Sequence, residues 1–361
     1  MAHLTRAGKV SVLREFSHAA RDWLRKVRRS AREVFMIDLL VGAVRRWPVA
    51  VFLGAVFQPQ AHSRLSFFCR APHLFRRPRS SAAAEACAIN SLPEFESGYV
   101  RLATLLGHPG KTPPAAELEF LPSIAKRRKY YPGAIAPADN LFLTAVVSIL
   151  APRRVVEIGT LAGFSAGSIA AALAHQHGND GGTWVDTIDV RPQCAADPSR
   201  PTGFEIAELF PEFASMIRLH IPADSSFVSK LAARDEFTLA FIDADHRHPM
   251  PLLDVLRLTP YMRGQSWIVL HDIELGSMTR QAVEAGQKLE RRPIFGAEWL
   301  FARWPFRKIS GGNIGAVQLP ADKSALVGFA LQLMSKPFEI TEEHARIIRP
   351  ALYQSLREPL L

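Results

Sequence analysis

Cysteine is scarce. Cys69, Cys87 and Cys194 are the whole supply, and none is spaced like a C-x-x-C pair or a metal site. That excludes a disulfide framework and a thiolate zinc centre, and it suits a reducing compartment. Long apolar runs are missing too. Residues 34–44 and 49–57 are the candidates, but Arg45, Arg46 and Pro48 separate them. Neither reaches the ~18–20 residues that span a bilayer. No secretory signal is expected, because the first apolar run comes late. No internal repeat is visible. Acidic residues are rare at the start: residues 1–80 hold 4 Asp/Glu against 16 Lys/Arg, and the rest of the chain holds 30 against 28. The net charge of +10 therefore belongs to the N-terminal segment. A nucleic-acid role for the domain behind it loses its main support, and no nucleic-acid partner is expected.

What is present at the start is amphipathic. Phe16, Ala20, Trp23, Val27, Ala31 and Val34 recur at spacings of three and four, with Arg14, Arg21, Arg25, Arg28 and Arg32 opposite them. At about 100° per residue this gives an apolar stripe against a basic one. Such a helix can lie on an anionic membrane, so residues 11–57 are candidates for peripheral membrane contact. It can also pack on the main domain, or serve as an Arg-rich targeting segment. The expected location is the cytoplasm, at the membrane surface in the first case, with organellar targeting left open. Residues 58–92, rich in Arg, Pro, Ser and Ala, read as a linker.

The spacing then predicts four regions: an N-terminal extension and linker over 1–90, a helical lead-in over 91–134, an α/β domain over 135–320, and a helical tail over 321–361. Within the domain, helices and short β-rich runs alternate. Strands are expected at 184–189, 217–220, 237–242, 267–270 and 314–319. Helices are expected up to Leu150, from Ala166 to Leu173, around 203–210, and over 226–233 and 249–258. This alternation argues for a doubly wound, mostly parallel sheet.

One stretch carries the chemistry: Arg154 to Leu173, RVVEIGTLAGFSAGSIAAAL. A β-branched run ends at Glu157, a turn with Gly159 and Gly163 follows, and an Ala-rich helix begins. Strand, turn and helix in that order place helix N-terminal amides beside a strand end. A dinucleotide fingerprint starting at Gly159 needs glycine at 161 and 164, where Leu161 and Phe164 stand. A Walker A loop is absent as well.

What remains, E-x-G-x-x-x-G, resembles motif I of class I S-adenosylmethionine-dependent methyltransferases, and EIGTxxGxS resembles the small-molecule O-methyltransferase branch. FIDADH (Phe241–His246), WIVLHDI (Trp267–Ile273) and NIGAVQLP (Asn313–Pro320) follow in that family's order. The resemblance covers about residues 130–320 and matches best the methyltransferase-24-like group. It implies a seven-stranded Rossmann-like methyltransferase sheet carrying an N-terminal helical extension. It implies S-adenosylmethionine as cofactor and a small-molecule acceptor. The amides of Gly159–Gly163, with Ser165, would hold the methionine carboxylate. Glu157 or Asp243 would meet the ammonium. Asp189 would accept from the ribose hydroxyls, and Asp224 and Ser225 would face the adenine, although Asp224 also reads as a helix N-cap.

His246 stands where catechol-type relatives place a general-base lysine, and histidine takes a hydroxyl proton near neutral pH. Asp243 and Asp272 match two of those relatives' Mg²⁺ ligands, but Ile273 replaces the third, an asparagine. His271 and Glu274 are the nearby substitutes. His220 and His248 read as structural. Trp299, Phe301, Trp304 and Phe306 read as aromatic core or as an acceptor pocket. Rival readings are N- or RNA-methylation on the same fold, and a membrane-tethered binding protein with a degenerate pocket. Oligomeric state is left open.

Overall fold

The computed structural model describes residues 81–128, 131, 133–178, 182–287 and 294–357. The chain divides into two units, residues 1–75 and 76–361. The amphipathic helix over 11–35, the apolar runs and the linker up to residue 80 lie outside the described residues. No described helix is long and apolar enough to cross a membrane.

The second unit is built on one sheet. Its strands are β1 (Glu85–Ala86), β2 (Arg154–Ile158), β3 (Trp184–Ile188), β4 (Ile217–His220), β5 (Phe237–Ile242), β6 (Met262–His271), β7 (Lys308–Ser310) and β8 (Ile314–Gln318). They lie in the order β1-β7-β8-β6-β5-β2-β3-β4. The β2–β3, β3–β4, β2–β5 and β5–β6 pairs are parallel, and β8 runs antiparallel to both its neighbours. The expected doubly wound, mostly parallel sheet is therefore present, with eight strands rather than seven. The eighth is β1, two residues from the stretch read as linker, pairing parallel with β7. So short a strand leaves no period for a sequence to display.

The central parallel strands β2, β3, β5 and β6 are buried on both faces, as helical crossovers require. Val155, Leu239, Phe241, Trp267 and Val269 face a core shared with α1 (Phe95–Leu106), α2 (Ala115–Arg127), α3 (Pro137–Leu150) and α4 (Phe164–His177). Their alternates Val156, Ala240, Ile242, Ile268 and Leu270 are also buried. α7 (Met250–Leu258) and α9 (Gly296–Arg303) pack on the sheet's strands β5 and β6. α3 is buried from Asp139 to Ile149 and lies against both α1 and α4. Its start brings Asp139 to the C-terminal ends of the strands.

Other elements depart in detail from the periodicity. The helix expected around 203–210 is α5 (Phe204–Leu209), and the one expected at 226–233 is a 3₁₀ turn, Ser225–Phe227, followed by one turn of helix, α6 (Val228–Leu231). β6 begins at Met262 rather than Trp267, because Arg263, Gly264 and Gln265 add an exposed, irregular start with no apolar alternation. The stretch 274–312 holds α8 (Leu275–Glu284), α9 and β7, which sequence reading left unassigned. Trp304 and Phe301 are core: Trp304 is fully buried and donates through Nε1 to the Gln318 carbonyl at 3.1 Å. The tail is helical, with α10 (Leu326–Met334) and α11 (Glu342–Ser355).

Candidate active site

The winding direction reverses at β2. β3 and β4 extend to one side, and the chain then returns to place β5 and β6 on the other. Ligands of open α/β sheets sit at the carboxyl ends of strands at such a reversal. Here those ends are Gly159, Asp189, Asp243 and His271–Asp272.

The glycine turn is held tightly. Gly159 has φ +99°, and a Cβ there would stand 2.0 Å from the Asp243 carbonyl oxygen. Glycine is required because the loop after β5 passes directly over the turn. Gly163 has φ +94°, and a Cβ would meet Ile206 Cγ1 at 2.7 Å. The two glycines thus answer to neighbouring protein atoms. Asp189 also works on the turn: its Oδ2 accepts from the amides of Thr160 (3.0 Å) and Leu161 (3.2 Å), and its Oδ1 from Arg191 N at 2.9 Å. A carboxylate that fixes the turn stands at the strand end where ribose contacts were expected.

Glu157 is fully buried. Thr187 Oγ1 donates to its Oε2 at 2.5 Å, while Oε1 has no hydrogen-bond partner. Burial pushes its pKa up to about 8, against the opposing pull of the Ser165 and Thr187 hydroxyls. An unpartnered buried carboxyl oxygen beside the glycine turn suits a cationic ligand group, such as the ammonium of a methionine moiety. Ser165 is buried in the first turn of α4.

Asp224 and Ser225 are occupied by the protein. Asp224 Oδ1 accepts from Ser226 N at 3.0 Å, an N-cap, and its Oδ2 accepts from Arg257 at 2.9 Å. Ser225 Oγ donates to the buried Asp254 at 2.5 Å.

The densest cluster forms where β5, β6 and α3 end. His271 is buried and uses both ring nitrogens: Nδ1 lies 3.0 Å from Asp243 Oδ1, and Nε2 lies 3.2 Å from Asp139 Oδ2. Burial opposes charge on this imidazole, but Asp243, Asp139 and Asp272 outweigh it and hold its pKa well above the ordinary value. Burial likewise pushes the Asp243 carboxyl up, but His271 and then His246 override that and keep it low. His246 Nε2 lies 3.1 Å from Asp272 Oδ2 and 3.4 Å from Asp243 Oδ1. Asn313 donates from Nδ2 to Asp272 Oδ1 at 2.6 Å, and its own Oδ1 accepts from Glu274 N. Asp272 holds this place with φ +57°, a left-handed conformation that aspartate tolerates better than most residues.

The structure therefore brings Asp243, His246 and Asp272 together, as the motif order implied, and adds three residues. His271 was considered only as a substitute ligand, and Asp139 read as part of a helix start. Asn313 opened NIGAVQLP without being assigned. His248 and His220 lie elsewhere. His248 is buried against Trp299 and Phe338, and His220 pairs with the buried Asp186 at 2.8 Å.

The donor set does not suit Mg²⁺, which wants about six oxygens in near-ideal octahedral geometry. Asp139, Asp243 and Asp272 offer carboxylate oxygens, but Ile273 supplies no donor, Asn313 turns its amide NH₂ to Asp272, and His246 and His271 bring imidazole nitrogens. Asp243, His246, His271 and Asp272 do place one nitrogen or oxygen atom each within 4.8 Å of one another. Yet each has a partner within the protein.

Residues 156–273 match a family model described as a methyltransferase domain. Among curated proteins, none matches the chain. Solved structures with a similar course include cofactor-bound Rv0187 from MTB, at 20% identity, covering 57% of this chain and 89% of that one, with a TM-score of 0.40. The O-methyltransferase TomG from Streptomyces achromogenes, in complex with SAM, is 17% identical, covers 64% and 100%, and has a TM-score of 0.37. The O-methyltransferase from Bacillus cereus, in complex with SAH, is 18% identical, covers 63% and 100%, and also has a TM-score of 0.37.

Proposed function

We propose that this chain, whose residues 156–273 match a methyltransferase-domain model, transfers a methyl group from S-adenosylmethionine to a hydroxyl of a small molecule. The observation that carries this reading is the joining of two half-sites. The backbone of the glycine turn touches the backbone of Asp243, so a donor seated at the turn has its sulfonium end beside the Asp243–His246–Asp272 cluster. Glu157 takes the ammonium group, the Gly159–Gly163 amides and Ser165 take the carboxylate, and Asp189 takes the ribose while bracing the turn.

The reaction is an in-line displacement. The acceptor oxygen forms a bond to the methyl carbon as the carbon–sulfur bond breaks, and the hydroxyl proton must leave. His246 is placed to take it. Its Nε2 is turned to Asp272 and Asp243, which accept only, so Nδ1 is the nitrogen left for the substrate proton. Asp272 and Asp243 then stabilise the imidazolium that forms, the role of an aspartate behind a catalytic histidine. Asp224 and Ser225 act by holding the loop after β4 rather than by touching the adenine. Holding donor and acceptor in line supplies most of the acceleration such a transfer needs.

Incubation of the full chain with labelled S-adenosylmethionine and a panel of hydroxylated acceptors tests this. Label is expected in an ether or ester methyl group of at least one acceptor class. Label found only in amines would refute the oxygen-directed reading.

A further inference from the structure

We propose that Glu339, in the tail beyond β8, is a positioning residue for the acceptor site: its carboxylate anchors the loop after β5 and so sets where His246 stands. The inference rests on the methyltransferase reading and deepens it.

The loop from Asp243 to Pro249 is pinned at both ends. At the first, Asp243 N donates to the Ile158 carbonyl at 2.9 Å, continuing the β5–β2 ladder. At the second, His248 N donates to Glu339 Oε2 at 2.6 Å, and Glu339 N donates back to the His248 carbonyl at 2.8 Å. His246 lies between the two pins. Glu339 comes from the turn between α10 and α11, outside the stretch that matches the family model. The helix that leaves the loop, α7, packs against α9 and α11, so the same layers flank it.

The same carboxylate holds a third segment. Phe295 N, at the start of α9, donates to Glu339 Oε1 at 2.9 Å and to Oε2 at 3.1 Å. α9 is thereby drawn onto the loop: a Cβ on Gly296 would stand 2.4 Å from the His246 carbonyl oxygen and 2.5 Å from His248 N. The His248 ring closes the joint against Trp299 of α9 and against Phe338, the neighbour of Glu339. On its other side α9 holds the start of α8, which follows Asp272: Glu298 accepts from Ser277 N at 2.8 Å. One carboxylate thus ties the His246 loop to the helix that also braces the chain after Asp272. Bonds from amides to a carboxylate are stronger than neutral ones. Removing the acceptor orphans the amide of the buried His248. The loop then relaxes, and a shift of about 1 Å in a reacting group can cost on the order of 10²-fold in rate.

The test uses the full chain as wild type, Glu339→Ala, Glu339→Gln and Thr341→Ala. Glutamine keeps an acceptor oxygen for the two amides. Thr341→Ala removes the cap of α11 at His344 N and loosens the tail without touching the bonds of Glu339. Amide exchange over residues 243–250, read by mass spectrometry, needs neither donor nor acceptor. It is expected to quicken about tenfold or more in Glu339→Ala and to stay within about threefold of wild type in the other two. With an acceptor that the wild type methylates, kcat of Glu339→Ala is expected to fall about 30–100-fold, while KM and the donor Kd stay within about threefold. Glu339→Gln is expected to restore kcat to within about fivefold of wild type, a rescue that loss of stability alone does not produce. Unchanged exchange or unchanged kcat in Glu339→Ala overturns the inference, as does a fall in kcat that Thr341→Ala matches or Glu339→Gln fails to rescue. Should Glu339→Ala not fold, Gly296→Ala pushes on the same joint, and a kcat equal to wild type overturns the inference. If no acceptor is methylated, amide exchange decides alone. Calorimetric titration of S-adenosylmethionine separates the two failures: a wild type that binds no donor sinks the methyltransferase reading, whereas a donor-binding chain indifferent to Glu339→Ala sinks this inference.

Discussion

Glu157→Gln should make the protein more stable as pH rises. Glu157 is fully buried, and its pKa in the fold is about 8 against an ordinary 4.5. Below pH 4.5 the carboxyl is neutral in both the folded and unfolded chain and costs nothing. Between 4.5 and 8 the unfolded chain releases the proton while the folded chain retains it. Stability is therefore lost progressively as pH rises through that window, and the loss is complete above 8. Integrated over the window, the loss is on the order of 4–5 kcal/mol, an upper figure because buried groups relax. Glutamine keeps the shape and the bond from Thr187 but has no proton to lose. Urea unfolding of both proteins at pH 5, 7 and 8.5 gives the comparison, and subtracting the two curves cancels other buried acids such as Glu117 and Asp254. The variant is expected to gain about 2–5 kcal/mol on the wild type between pH 5 and 8.5. It should also bind S-adenosylmethionine more weakly, because glutamine cannot ionise to a carboxylate when the ammonium arrives beside it. A difference that stays flat with pH, within about 0.5 kcal/mol, would refute a neutral buried Glu157.

Gly159→Ala is expected to cost about 2–5 kcal/mol, the sum of a left-handed alanine and a Cβ driven against the Asp243 carbonyl; thermal unfolding checks this, and a shift under 1 °C would contradict it. His246→Gln should lower kcat by about 10²–10⁴-fold while the donor Kd stays within threefold, and single-turnover kinetics with calorimetry separate the two. Asp224→Ala should cost about 0.5–2 kcal/mol as a lost cap, with donor affinity unchanged; a tenfold loss of affinity would return Asp224 to the adenine contacts.

Strand–helix alternation is legible wherever an element is long and buried. β5 appears at the residues its apolar run marks, and α4 covers the Ala-rich run 166–173. β1 and β7 are two and three residues long, too short for any period to show. The corner of the candidate site is legible in part for a different reason. Asp243, His246 and Asp272 follow strands in fixed order, so chain position indicates them. Asp139 and Asn313 reach the same place from α3 and from the start of β8, 132 residues from His271 in one case and 41 from Asp272 in the other. No local pattern connects residues so far apart, and only the winding of the sheet brings them together. The glycines show the reverse. Their need was read from the sequence, but its cause is the neighbouring Asp243 loop and Ile206, which spacing cannot reveal.

The most direct measurement is isothermal titration of S-adenosylmethionine and S-adenosylhomocysteine into the full chain, repeated with Asp189→Ala. Saturable one-site binding with Kd of about 100 µM or tighter, or −5.5 kcal/mol and beyond, is expected for the wild type. The variant should bind at least tenfold more weakly, because Asp189 braces the amides of Thr160 and Leu161. No heat of binding from either ligand at about 100 µM would contradict a methyl-donor site at the end of β2.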